Sequence, residues 1–143
     1  MDTVMANTIH VDIVSPEGQL FAGEANMVFA PAVQGEIGIA PRHAPLLTTL
    51  KAGEVRVQVE GEDEHLFYVG GGALEIQPHL VSILADTAAR ARDLDEAAAL
   101  AAKQRAEEAV RSRTDQIDIA EATAELARAV AQLRAIERLR KKR

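Results

Sequence analysis

The chain has 143 residues, a formal net charge of −6, no cysteine and only 3% aromatic residues. The missing cysteines exclude a disulfide framework and thiolate metal ligands and fit a reducing compartment. Scarce aromatics leave Val, Ile, Leu and Ala to build any core, and no apolar run reaches the roughly 18 to 20 residues that span a bilayer.

The N-terminus carries Asp2 and no basic cluster ahead of an apolar stretch, so it does not read as a signal peptide. A second methionine stands at position 5, and the structural pattern begins only near Thr8. From there to residue 87 the chain reads as strands. "IHVDIV" sets Ile9, Val11 and Ile13 against His10 and Asp12, and "EVRVQVE" sets Val55, Val57 and Val59 against Arg56 and Gln58. A period of two is what a half-buried strand needs, because successive side chains point to opposite faces. "HLFYVG" and "LVSILAD" are further apolar runs. Turn signals fall between the runs: Ser15-Pro16-Glu17-Gly18, Gly23, Pro31, Pro41, Gly53, Gly61 to Asp63, the triplet Gly70-Gly71-Gly72, and Pro78. Short strands with such punctuation predict a sandwich or barrel rather than a sheet with crossover helices.

Beyond residue 87 the composition changes. Residues 88–143 hold 17 alanines and neither glycine nor proline. That composition is helical, since alanine has the highest helix propensity and both breakers are missing. Asp93 with Glu96, and Asp118 with Glu121, each follow the capping-box spacing. The polar "RSRTDQI" at 111–117 predicts the turn between two helices. The second helix carries an apolar stripe of Leu126, Val130, Leu133 and Ile136. The first offers Leu94, Ala98, Ala101, Ala102 and Ala109, a face of mostly small residues. The expected product is an α+β chain: a sandwich of about ten short strands over 8–87, then an antiparallel helical hairpin over 88–143. An alanine seam buries little area, so the hairpin should be marginal alone and able to open.

Charge follows the same division. Up to Thr87 acids outnumber bases 12 to 3, and from Ala88 on bases lead 13 to 10. Two units with different partners are implied. The basic excess gathers in "RLRKKR" at 138–143, but overall acidity and few aromatics argue against nucleic acid.

Candidate chemistry is sparse. His43 sits between Pro41 and Pro45 with Glu36 upstream, a possible base and its orienter, yet no nucleophile accompanies them. His10, His65 and His79 have no metal-ligand spacing. The glycine triplet lacks the helix that a phosphate loop requires after it, and reads as a turn or bulge. Arg90 and Arg92 precede the first helix, either as an anion contact or as a solvated linker.

Four segments carry a resemblance: "VDIVSPEGQLFAG", "GEIGIAPRHAPLLTTLKAGEVRV", "GGGALEIQPHLVSILADTAARARDLDEAAALAAKQRAEE" and "AELARAVAQLRAIERLRKK". Together, in order from about Thr8 to the end, they resemble the epsilon subunits of bacterial F-type ATP synthases. The resemblance implies a ten-stranded sandwich with a two-helix domain and a non-catalytic place in the central rotor stalk. Its implied partners are the gamma subunit, the membrane ring of c subunits and the alpha/beta catalytic head. The implied location is the cytoplasmic face of the bacterial inner membrane, peripheral to it. It implies a ring-docking loop at Glu36, Ile37 and Gly38, with His43 nearby, and inhibition of ATP hydrolysis by the second helix through Arg128, Arg134, Arg138 and Arg140. Family members that bind ATP carry an arginine where this chain has Ala98. The cofactor expectation is therefore none, with at most weak ATP binding through Asp95 and Arg92. Two alternatives are a stand-alone nucleotide sensor, with ATP locking the hairpin closed, and a small hydrolase built on His43 and Glu36.

Overall fold

A computed structural model describes residues 7–112 and 116–141. The start at Met1 to Val4, the middle of the expected turn and the last two basic residues lie outside the described residues.

Eight strands come first: β1 (Ile9–Ser15), β2 (Gly18–Ala25), β3 (Met27–Ala32), β4 (Gly35–Ile39), β5 (Leu46–Gln58), β6 (His65–Gln77), β7 (Leu80–Ala85) and β8 (Ala88–Arg90). Their order is β2-β1-β7-β6-β5-β3-β4, with β8 added to β6. Every pairing is antiparallel except β1 with β7, which is parallel. β5 and β6 are 13 residues each and serve both layers of the sandwich. Residues 72–77 of β6 pair with β7, whereas residues 67–69 pair with β8. The alternating residues meet between the layers: Ile9, Val11, Ile13, Val28, Ile39, Val55, Val57, Phe67, Val69, Leu74, Ile76, Val81 and Ile83 are fully buried in one cluster.

The strand count is eight among the described residues, not about ten, because two sequence breaks are bends inside long strands. Gly71 and Gly72 have φ of +109° and +138°, within β6. A Cβ at Gly72 would run into the Leu84 carbonyl of β7. The triplet therefore lets β6 turn a corner while staying paired, a use of glycine that tolerates both positive φ and close backbone approach. Gly53 does similar work in β5, where a Cβ would lie 2.6 Å from the Pro31 ring. Strand pairing continues through β8 to Arg90, beyond the change of composition.

A short 3-10 turn (Ala91–Asp93) leads to α1 (Glu96–Ser112) and α2 (Gln116–Lys141). The first helix is capped by Asp95, not Asp93: Asp95 Oδ1 accepts the Ala98 N–H at 3.1 Å. Asp118 lies inside the first turn of α2, where a carboxylate still faces the positive end of the helix dipole. The hairpin seam also differs from the expected one. Its fully packed members are Ala99 and Ala106 of α1 and Ala122 and Ala129 of α2. Each pair is seven residues apart, and the two pairs flank the connection symmetrically. Leu126, Val130, Leu133 and Ile136 are only half-buried. Helices this close leave no room for a large side chain at the point of contact, so the larger residues sit along its edges.

On the sandwich, one polar cluster is sensitive to pH. His10 Nδ1 lies 2.9 Å from Glu24 and Nε2 lies 3.0 Å from Asp12. The hydrogen bond to Glu24 raises the His10 pKa above the ordinary 6.5, partial burial works against it, and Asp12 adds to the rise. A raised pKa means that this contribution is complete below about pH 6.5 and is lost as pH climbs through the folded value. Denaturant unfolding of wild type and His10→Gln should show a wild-type advantage at about pH 5.5 that disappears by about pH 9, of under about 1 kcal/mol because the pair is exposed. A difference independent of pH would show that protonation of His10 contributes nothing.

Candidate functional site

The surface that gathers charge is the outer face of β3, β4, β5 and the first half of β6, with α2 lying along it. β4 pairs only with β3 and so forms an edge. Its alternation points Ile37 and Ile39 inward and Glu36 and Gly38 outward. The expected docking residues Glu36, Ile37 and Gly38 are thus in a strand, not a loop. Gly38 sits tightly among its neighbours, since a Cβ there would lie 3.0 Å from Met27 and 3.2 Å from Phe29.

Glu36 is half exposed and faces Arg56 of β5. The Arg56 guanidinium lies 3.4 and 3.5 Å from the two Glu36 oxygens and 3.4 Å from Glu64, with its plane 4.1 Å from the centre of the Phe29 ring. Its Nε is buried without a hydrogen-bond partner. The aromatic face and two carboxylates hold this guanidinium in place, and it in turn tethers the Glu36 carboxylate to the sheet.

His43 is in the connection from β4 to β5. Its Nδ1 is 2.7 Å from the Ala44 carbonyl, so Nδ1–H donates and Nε2 is left as the acceptor. The adjacent Arg42 takes φ of 65°, and its N–H donates to the Pro78 carbonyl at 2.9 Å. Because Glu36 is committed to Arg56 and His43 to its own backbone, the pair does not form a base and its orienter.

The arginines of α2 divide. Arg138 Nε donates to Glu54 Oε2 of β5 at 2.6 Å, and Arg140 Nη2 donates to Glu96 Oε1 of α1 at 2.8 Å. Glu96 holds the Arg140 pKa above its already high usual value. Arg134 is exposed and lines a cleft of about 420 Å³ between α2 and the sheet, with Glu36, Lys51, Glu54 and Arg138 among the other lining residues. Arg128 lies over Gly70, where a Cβ would sit 3.4 Å from its Cδ. Below the helix, Ala131 and Ala135 pack on Leu66, Tyr68 and Ala91, with Ala52, Leu94 and Leu139 at the margins.

The expected nucleotide residues lie around the start of α1. Asp95 is occupied as the helix cap, Arg92 is exposed in the 3-10 turn, and Ala98 has no group to offer. Arg90 is a structural tie: its Nη2 donates to the Leu20 carbonyl at 2.7 Å and it stacks 5.2 Å from Phe67. Glu54 and Arg56 were missed as site residues, because in "EVRVQVE" they look like the ordinary polar half of an alternating strand.

Known proteins resemble this chain over nearly its whole length. Residues 8–91 match the family described as ATP synthase, Delta/Epsilon chain, beta-sandwich domain, and residues 92–137 match its long alpha-helix domain. The chain belongs to the ATP synthase delta/epsilon family. The epsilon chain of Nitrosococcus oceani ATP synthase is 64% identical over 138 residues, covering 96% of this chain and 99% of the relative. That of Halorhodospira halophila is 61% identical over 137 residues, covering 95% and 97%. At the level of fold, a chain in the Euglena gracilis mitochondrial ATP synthase superposes with a TM-score of 0.82 at 17% identity, over 95% of this chain and 86% of that one. As an epsilon-type member the chain is non-catalytic.

The geometry of the Asp95 cap gives one further expectation for this delta/epsilon chain. Asp95→Ala removes the acceptor for the Ala98 N–H at the start of α1 and loosens the backbone that carries Glu96. The loss should be about 1 kcal/mol, read as faster hydrogen exchange in the first two turns of α1, with the sandwich amides unchanged. Unaltered exchange there would mean that the cap does not hold the helix start.

Proposed function

We propose that this chain is the central-stalk subunit of an F-type ATP synthase, placed between the gamma subunit and the c-ring. In this role it transmits proton-driven rotation to the alpha/beta head during ATP synthesis and restrains ATP hydrolysis through α2. One observation carries the proposal: a sandwich whose edge strand exposes the Glu36 carboxylate is joined to a basic, alanine-seamed hairpin that rests on it through Ala131, Ala135, Leu139 and the Arg138–Glu54 pair. Torque transfer asks for a stiff body and a defined contact edge. The 13-residue ladder of β5 and β6 supplies the stiffness and β4 supplies the edge. The fold relatives support the assignment of partners, since they come from an F1 and c-ring assembly in Euglena gracilis and a central stalk with c-ring in Tetrahymena thermophila.

On this proposal Glu36 presents a carboxylate to a polar, partly basic loop of the ring. Ile37 seats the strand in the core, Gly38 keeps the edge flat, and His43 lies in the connection that follows. The chain acts peripherally at the cytoplasmic face of the bacterial plasma membrane. In support, no helix among the described residues is long and apolar enough to cross a membrane. No nucleotide cofactor takes part, because Ala98 leaves the phosphates without a bidentate cation. Inhibition follows when α2 leaves the sandwich and brings Arg128, Arg134, Arg138 and Arg140 to acidic surface on the head.

Two measurements test the proposal. Glu36→Lys should lower c-ring association about tenfold at low salt, as a reversed charge at an interface rim does, while the thermal unfolding of the isolated chain stays near that of wild type. Equal association would remove Glu36 from the contact. Deleting residues 119–143 should raise ATP hydrolysis by the assembled head severalfold and leave rotor assembly intact. Unchanged hydrolysis would refute inhibition by α2.

A further inference from the structure

Two of the four arginines invoked for inhibition, Arg138 and Arg140, are already engaged inside the molecule. Arg138 and Glu54 make the shortest ion pair between hairpin and sandwich, at 2.6 Å. Its two members differ in exposure: the Glu54 side chain is 12% exposed and that of Arg138 44%. Arg140 and Glu96 are 62% and 50% exposed, and both belong to the hairpin. Exposed pairs contribute little because water and salt screen them. A shielded carboxylate is different, since removal of its partner leaves a charge that has lost its water and gained nothing.

The surroundings of Glu54 make it dependent on α2. It stands on β5 two residues from Ala52, a small residue at the margin of the α2 contact. Gly53 cannot carry a side chain, because its Cβ would meet Pro31. Above Glu54 is a cleft of about 310 Å³ lined by Arg134, Glu137, Arg138 and Lys141 of α2. Glu54 is the one sandwich carboxylate lining that cleft. Beneath α2 the fully packed helix residues are Ala131 and Ala135, whose methyl groups bury little area. At about 25 cal/mol per Å² such contacts hold the helix weakly. A charge-assisted hydrogen bond, stronger than a neutral one, is then a large part of what keeps it down.

We propose that Glu54 is a latch: it holds α2 closed against the sandwich by sequestering the Arg138 guanidinium, one of the cations through which the open hairpin would inhibit the head. The second half rests on the proposed function, whereas the first half stands on this chain alone. The latch makes the two states exclusive. In the closed state Arg138 neutralises Glu54 and is withheld from any partner. In the open state Glu54 regains water and Arg138 is free. Substitutions at the two ends of one bond should therefore act alike on closure and in opposite directions on inhibition.

The test uses the full chain, free and in the assembled complex, with Glu54→Gln, Arg138→Gln and the double variant. In the free chain, hydrogen exchange over α2 from residue 127 onward should rise about tenfold in each single variant. The double variant should exchange no faster than the faster single one, because the two changes break the same bond. Amides of β1 and β7 serve as the check that the sandwich remains folded. Single variants that exchange like wild type, or a double variant whose effect is the product of the two, would overturn the latch. In the complex, Glu54→Gln should hydrolyse ATP more slowly than wild type, about threefold or more, since it frees Arg138 intact. Arg138→Gln should hydrolyse at least as fast as wild type. Faster exchange in the free chain with no fall in hydrolysis by Glu54→Gln would leave the latch standing and sink the inhibitory role of Arg138.

Discussion

The β5–β6 ladder is the interaction on which the rest of the molecule depends. Eleven register pairs run from Leu46 opposite Ile76 to Val57 opposite His65, across both layers of the sandwich. Its inward residues, among them Val55, Val57, Phe67, Val69, Leu74 and Ile76, fill the core. Its outward residues make the face on which α2 rests and carry Glu54 and Arg56. A ladder of this length is a stiff support, because every added pair fixes the register of the next. The corner at Gly71 and Gly72 lets one ladder belong to two layers. Without it the chain would need separate strands on each side and a loop between them, and the charged face would lose its continuity with the core.

The hairpin is built on the opposite principle. Its contacts are alanines at heptad spacing on one side and two alanines on the other, so helices approach closely but bury little. Helical propensity is high throughout, so α2 stays helical on average when it leaves the sheet, although its backbone hydrogen bonds open more readily without that packing. Detachment then costs the packing against Leu66 and Tyr68 and the charged contact at Glu54, but not the helix itself. This separation of helix stability from docking stability is what allows one element to have two positions.

Much of this was legible in the sequence. Period-two alternation located β1 and the second half of β5, and alanine with neither glycine nor proline located both helices. The resemblance supplied the family. What escaped had physical causes. Gly53 and the triplet at 70–72 were read as punctuation, because a sequence does not distinguish a glycine that ends a strand from one that bends it. Asp93 matched a capping box, but Asp95 lies one residue before Glu96, where the helix begins, and the backbone chose the nearer acceptor. The seam was assigned to the larger residues of α2 because amphipathic stripes are scored by size, whereas close packing selects for its absence. Glu54 gave no signal, because its role depends on a partner 84 positions further along the chain.

The uneven charge of the two halves takes on a second meaning from this geometry. An acidic sandwich and a basic hairpin suggested separate partners, yet each is first the other's partner. Arg138 meets Glu54, and Arg134 shares a cleft with Glu36 and Glu54. The same sandwich acidity therefore attracts the cations of α2 while leaving the Glu36 carboxylate half exposed at the edge. Long-range attraction of this kind is screened over roughly 8 to 10 Å at physiological salt, so it brings the helix near the face without specifying where it lands. Position is set by the close contacts alone, namely two alanines, their apolar margins and one shielded ion pair. A competing acidic surface need not break a large interface to lift α2. It has only to offer Arg138 a carboxylate at least as good as Glu54, together with apolar contact equal to the small area beneath the helix.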